Sequence, residues 1–259
     1  MKVVILCGGR GTRIRDVSEN VPKPMVTVGQ WPILWHIMKY FARWGHQEFV
    51  LCLGYKGEAI KDYFLNYAAR TSDFTVTLGN EKEIQYHTRN GEADWRVTFA
   101  ETGLDAMTGA RIRKIKNYVG NENFFLTYGD GLADVNPDKL LAYHRAHGKI
   151  LTVTGVLPTG RFGEILSDEK DLVTTFNEKP KGTVGRVSGG FFVCRPDLFE
   201  VLPEREDLVF ELEPMNQLVQ NKQLMMYRHD GFWQPMDTYR DYAHLNDLWN
   251  RGQAPWRVW

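Results

Sequence analysis

The sequence predicts an α/β fold, a mostly parallel but mixed sheet with helices on both faces, built as a single domain. Three observations predict it. Short apolar runs of strand character alternate with segments of helical period. Two of those runs end in glycine-rich turns, Gly8-Gly9-Arg10-Gly11 and Gly129-Asp130-Gly131. No linker rich in Pro, Gly or Ser, no repeat and no low-complexity tract divides the 259 residues, a length that suits one large α/β domain.

The elements follow in order. Residues 2–7 are apolar after Lys2 and read as a buried first strand. Pro32 opens a helix in which Ile33, Leu34, Ile37, Met38 and Phe41 recur at helical spacing up to Gly45. Residues 49–53 form a second apolar run closed by Gly54. Residues 58–69 are helical again, with Ile60, Phe64 and Tyr67 on one face. Strand candidates lie at 74–78 and 97–100, and a helix at 110–119 with Ile112, Ile115 and Val119 inward. Residues 124–128 make another short strand. A helix at 137–147, strands at 150–156 and 189–194 and a final helix at 238–249 complete the chain. The aromatic tail, Ala254-Pro255-Trp256-Arg257-Val258-Trp259, is expected to dock on the domain. Such a β-α-β-α order gives a Rossmann-like sheet whose ligands bind beyond the carboxyl ends of its strands. Both glycine turns lie at such ends and can share one cleft.

Composition narrows the partners. Lys plus Arg and Asp plus Glu both number 32, so the formal charge is zero. A surface for nucleic acid or anionic membrane needs a basic excess, so neither partner is expected. No apolar run reaches the length of a membrane span. The apolar start breaks at Gly8-Gly9-Arg10 with no small-residue cleavage pattern, which reads as a buried strand of a cytoplasmic protein. The three cysteines, Cys7, Cys52 and Cys194, are far apart in apolar segments and read as reduced core thiols.

The first glycine loop is built for an anion. Glycines let backbone N–H groups turn toward a ligand, and Arg13 adds a planar fork suited to phosphate. Lys23 is fixed between Pro22 and Pro24, as a cation meeting charge that develops in a reaction should be. The loop departs from the dinucleotide fingerprint, with Ile14 in place of a third glycine, and no Gly-Lys-Ser/Thr follows as in the common ATPases. The alternative is a tight surface loop with solvated charges. Asp130, between glycines, and Asp237 are candidates for magnesium, which takes one or two carboxylates with phosphate oxygens and water. Their alternatives are a turn aspartate and an ordinary Asp-Thr helix start.

Taken together, Gly8-Gly9-Arg10-Gly11-Thr12-Arg13 and Pro22-Lys23-Pro24-Met25 resemble the signature of the sugar-1-phosphate nucleotidyltransferases. The resemblance runs almost end to end, through Gly54-Tyr55-Lys56-Gly57, Thr127-Tyr128-Gly129-Asp130-Gly131, Gly160-Arg161-Phe162-Gly163 and Glu178-Lys179-Pro180. Met107-Thr108-Gly109 and the stretch from Gly231 to Thr238 point to the branch that makes CDP-glucose from CTP and glucose 1-phosphate. Cys7 stands where an alanine is usual and Ala110 where a second glycine is usual. The resemblance implies a nucleotide-binding half over residues 1–135 and a sugar-phosphate-binding half over 136–259. It implies that Leu6, Cys7, Gly8, Gly9, Arg10, Gly11, Thr12 and Arg13 hold the nucleotide, with Thr108 and Arg111 on the cytidine side and Gly129 beside the nucleoside. Arg13 and Lys23 become the catalytic cations and Asp130 and Asp237 the Mg²⁺ ligands. Gly163, Glu178 and Lys179 become the sugar-phosphate site. It further implies a homo-oligomer and a place in bacterial deoxysugar and surface-polysaccharide synthesis.

Three groups read as ordinary. His144 and His147 are expected on an exposed helix face, Trp31, Trp35 and Trp44 in packing, and Glu211 with Glu213 as helix-terminal charge. Two other functions stay open at this point: the same transfer with dTTP, UTP or another acceptor, and a regulator that binds nucleotide sugars without turnover.

Overall fold

The structure, a computed structural model, describes residues 1–9, 21–79, 82–88, 91–158, 164–167, 173–177 and 185–259. Its centre is the first strand, β1 (Val3–Leu6), in a seven-stranded sheet with β2 (Glu48–Leu53), β3 (Arg96–Glu101), β4 (Phe124–Tyr128), β5 (Leu151–Val156), β6 (Val187–Cys194) and β7 (Leu224–His229). The strand order is β7-β5-β6-β4-β1-β2-β3. β1 pairs in parallel with β2 and β4, β2 with β3, and β5 with β7, while β6 runs antiparallel to both β4 and β5. The sheet is therefore mostly parallel and mixed, as the sequence predicts, and its one reversed strand is β6.

β1 reads as an unbroken apolar run because both of its faces are covered. Val3 and Ile5 pack against α1 (Ile33–Arg43), and the same apolar face continues under α4 (Pro137–His147) and α6 (Tyr239–Asn250). Val4 and Leu6 face the opposite cluster, which includes Ile112 of α3 (Thr108–Lys114) and Leu218 of α5 (Glu213–Gln220). The remaining long helix, α2 (Gly57–Leu65), contributes Ile60 and Phe64. The tail docks as expected: Trp256 is fully buried and donates from Nε1 to His36 Nδ1 at 3.3 Å. The three cysteines are free and buried.

Several expectations need correction. The helix expected at 110–119 starts at Thr108 and breaks at Ile115, with a separate turn over Lys116–Val119. The strand at Phe74–Leu78 lies outside the main sheet and pairs with Lys82–Tyr86 as an exposed hairpin. The edge strand β7 and helix α5 are additions to the predicted elements. His144 and His147 do not face solvent together. His144 is buried at 1% exposure, and both rings meet the Thr152 hydroxyl, at 2.8 and 2.7 Å. A histidine pair three apart on α4 points inward here because β5 supplies the hydroxyl partner. No helix among the described residues is long and apolar enough to cross a membrane.

Candidate functional site

The register of the central strands fixes the site. Leu6 of β1 lies beside Tyr128 of β4 and Cys52 of β2, so Cys7-Gly8-Gly9 and Gly129-Asp130 leave the sheet side by side. Gly129 N donates to Leu6 O at 3.0 Å and Cys7 N to Cys52 O at 3.0 Å. Beyond these ends opens a cavity of about 410 Å³. Its lining includes Leu6, Cys7, Gly8, Gly9, Lys23, Thr108, Arg111, Gly129, Asp130 and Asp237. The expected nucleotide and metal residues that are described thus share one crevice. Arg10, Gly11, Thr12, Arg13, Gly163, Glu178 and Lys179 lie outside the described residues.

A short ladder brings the two aspartates together across 107 residues of chain. Trp233, Gln234 and Pro235 pair antiparallel with Ala133, Leu132 and Gly131. One step further, Met236 N donates to Asp130 O at 2.8 Å, which sets Asp237 beside Asp130. Thr238 takes the helix cap that the sequence suggests for this corner: it forms a capping box with Asp241 at the start of α6. Asp241 Oδ2 also accepts from Asp237 N at 3.1 Å, and its Oδ1 from Gln234 Nε2 at 2.9 Å. Thr238 and Asp241 cap the helix, and Asp237 lines the crevice. Asp241 is a supporting residue that sequence reading missed, although the Thr-x-x-Asp spacing carries the signal.

Lys23 opens a single 3-10 turn, Lys23–Met25, entered from Pro22 in extended geometry. Its ammonium donates to Asp130 Oδ2 and Asp237 Oδ1, each at 2.6 Å. Burial alone pulls this ammonium down, but the charge and hydrogen bond of Asp130, joined by Asp237, outweigh it and leave Lys23 above an ordinary lysine. The lysine side chain is 11% exposed, against 31% for Asp130 and 27% for Asp237. Two open carboxylates converging on one cationic nitrogen form a donor set that fits a divalent ion such as Mg²⁺. Among the described residues no cluster of three or more His, Cys, Asp or Glu forms a closed metal cage.

Arg111, which is 5% exposed, also lines the crevice. Its guanidinium donates to Leu53 O at 2.8 Å, Thr102 Oγ1 at 2.7 Å, Gly103 O at 2.8 Å, Gly8 O at 3.0 Å and Leu104 O at 3.3 Å. It ties the ends of β1, β2 and β3 to α3. A β-carbon on Gly8 would lie 2.2 Å from its Cζ, and one on Gly54 2.5 Å from an Nη. Glycine at both positions leaves room for the guanidinium as it is bonded here. Burial pulls the Arg111 cation below its ordinary value. Glu213 sits in the first turn of α5, as helix-terminal charge should, but Glu211 does not: it accepts from Thr108 Oγ1 at 2.6 Å and from the Tyr128 phenol. No local pattern announces that contact, which joins residues 103 apart.

The nucleotidyl transferase family model matches residues 2–251 of this chain. The chain is 45% identical, over all of both sequences, to a probable glucose-1-phosphate cytidylyltransferase of Bacillus subtilis. It is 44% identical over the same span to the glucose-1-phosphate cytidylyltransferase of Salmonella typhi. Among solved structures, a putative glucose-1-phosphate thymidylyltransferase from Bacillus anthracis, in complex with a sucrose, superposes with a TM-score of 0.70 at 15% identity, covering 96% of this chain and 94% of that one. That last likeness is one of fold.

Proposed function

This chain belongs to the nucleotidyl transferase family, and from that premise we propose that it transfers the cytidylyl group of CTP to α-D-glucose 1-phosphate. The products are CDP-glucose and pyrophosphate. An oxygen of the sugar phosphate forms a bond to the α-phosphorus in line. The bond from that phosphorus to the bridging oxygen breaks, and pyrophosphate leaves with the electron pair. The attacking phosphate is already anionic near neutral pH, so no general base is required.

The obstacle is repulsion between two anions. Two unit charges in contact repel by about 1 kcal/mol in water and about 4 kcal/mol at an effective dielectric near 20. A cleft that excludes water therefore has to supply positive charge. Lys23 supplies it in the cavity lining, with two N–H bonds on Asp130 and Asp237 and a third left for a phosphate oxygen. Members of this family use a divalent metal, here taken as Mg²⁺ and held by Asp130 and Asp237. When bound it supplies charge neutralisation and orients the phosphates. In this reading Cys7 through Arg13 cradle the triphosphate, Arg13 adds a second cation, and Thr108, Arg111 and Gly129 bound the nucleoside. Gly163, Glu178 and Lys179 receive glucose 1-phosphate. The enzyme works in the cytoplasm, where its triphosphate substrate is made, as a homo-oligomer.

The observation that carries the proposal is the convergence of Lys23, Asp130 and Asp237 at one end of the cavity, in a chain aligned end to end with named cytidylyltransferases. The test is pyrophosphate release with Mg²⁺, glucose 1-phosphate and each nucleoside triphosphate in turn. Release with CTP above the others is expected. Release only with another triphosphate would replace the donor, and binding without release would make the chain a regulator.

A further inference from the structure

Glu211 lies outside the reacting groups, on the segment between Leu208 and α5, yet it governs two hydroxyls of the cavity wall. Its carboxylate accepts from Thr108 Oγ1 at 2.6 Å and from the Tyr128 phenol, and both of those residues line the cavity. A carboxylate accepts and does not donate, so both hydroxyl hydrogens are committed to Glu211. Thr108 Oγ1 also accepts from Phe210 N at 2.9 Å, which fills one of its two lone pairs. What Thr108 has left is one acceptor site, and what the Tyr128 oxygen has left is also acceptor capacity.

The backbone keeps these groups in place. Gly109 N and Ala110 N donate to Leu208 O at 2.8 and 3.2 Å, and Met107 N to Glu206 O at 2.9 Å. A β-carbon on Gly109 would stand 2.9 Å from Leu208 O, so glycine allows the two segments to close. The Tyr128 ring lies on Gly190, where a β-carbon would come within 2.4 Å of it. Burial, and then the Glu211 charge, raise the phenol above its ordinary value, so it stays a donor to Glu211.

We infer that Glu211 is a positioning residue that sets base specificity: it fixes the Thr108 and Tyr128 hydroxyls as acceptors toward the cavity, so that this wall takes a pyrimidine bearing an amino group and refuses one bearing a carbonyl there. The inference rests on the reading that the cavity holds the nucleoside of the donor triphosphate. Cytosine offers an amino donor where uracil and thymine offer a carbonyl acceptor. A carbonyl set against acceptor oxygens leaves both unpaired, and sites built to bond a substrate N–H reject the analogue that lacks it.

The experiment measures kcat/KM for CTP, UTP and dTTP, with pyrophosphate as readout, in the wild type and in Glu211→Gln, Thr108→Val and Thr108→Ser. The amide of Glu211→Gln can donate to one hydroxyl and turn that hydroxyl's hydrogen into the cavity. The preference for CTP over UTP is expected to fall roughly 10- to 100-fold in Glu211→Gln. It should fall also in Thr108→Val and recover in Thr108→Ser, while KM for glucose 1-phosphate stays put. A merely structural role would depress all triphosphates alike and leave the ratio unmoved. An unmoved ratio in Glu211→Gln and Thr108→Val, with a wild type that prefers CTP, overturns the inference and leaves the reaction standing. Should Glu211→Gln fail to fold, the ratio in the two Thr108 variants decides alone. A wild type that does not use CTP overturns the reaction and the inference together.

Discussion

Two groups of residues lining the crevice are built on opposite principles. At the wall formed by α3, polar groups are spent on the protein: Arg111 directs both terminal nitrogens to five oxygens, and the Thr108 and Tyr128 hydroxyls are committed to Glu211. Around Lys23, one ammonium is shared by two part-exposed carboxylates. The first arrangement makes a fixed surface that can read a shape and a hydrogen-bond pattern. The second gathers opposite charges at one point, which on the proposed reading is where a cation and phosphates bind. Recognition needs the rigidity, and chemistry needs the charge.

The contrast can be broken first at Lys23. Lys23→Ala should lose roughly 10²–10³ in turnover, the range for removing one preorganised charge stabiliser, with little change in unfolding free energy. Near-normal turnover in a single-turnover assay would take Lys23 out of the mechanism. Arg111→Leu should show the reverse pattern. It strands several buried carbonyl oxygens, so a stability loss of about 3 kcal/mol is expected in urea titration. Arg111→Lys should recover only part of that, because an ammonium has fewer donors than the fork it replaces. If Arg111→Leu kept its stability and lost only turnover, the two groups would not differ as described. Asp241→Ala sharpens the picture around Lys23. It removes the group that holds the Asp237 backbone and should weaken divalent affinity roughly 10-fold, as loss of an outer partner of a ligand does, read by isothermal calorimetry.

A smaller effect lies away from the crevice. Burial holds His36 and His144 down to about 4, so both are neutral in the fold. His36 contacts Val28 O at 2.9 Å while Trp256 donates to its other nitrogen. The unfolded chain takes up protons on these rings below their ordinary 6.5, whereas the fold resists down to about 4. Unfolding therefore gains protons in that window. Stability should be full above about pH 6.5 and should decline as pH falls toward 4. A midpoint of thermal unfolding that stayed level across that window would contradict the burial of these rings.

Much of the fold was legible because it rests on local patterns. The strand at Phe124–Tyr128 and the helix at Pro137–His147 have the bounds that the sequence predicts, the second because Asn136 caps it and Gly148 ends it in a left-handed turn. Strand ends, which topology makes neighbours, brought the two glycine turns together, and the family resemblance added Lys23 and Asp237 to the same crevice. The residues that support them were not legible. Arg111 gathers oxygens from three strand ends, Glu211 reaches back across 103 residues to Thr108, and His144 turns inward toward a threonine on another strand. Such contacts are long-range and polar, and no periodicity records them. β7 was passed over although Leu224-Met225-Met226-Tyr227 is apolar; at the sheet edge the run is only half-buried and ends in Arg228 and His229.

On the proposed reading Asp130 and Asp237 are a divalent-cation site, where the charge of the Lys23 ammonium bonded to both carboxylates opposes a second cation until phosphates are bound. Titration of the wild type, Lys23→Ala and Asp130→Asn with Mn²⁺, followed by electron paramagnetic resonance without nucleotide, tests it most directly. The account predicts tighter binding than wild type in Lys23→Ala, although that variant turns over poorly, and weaker binding in Asp130→Asn. Equal Mn²⁺ affinity in all three proteins would contradict it.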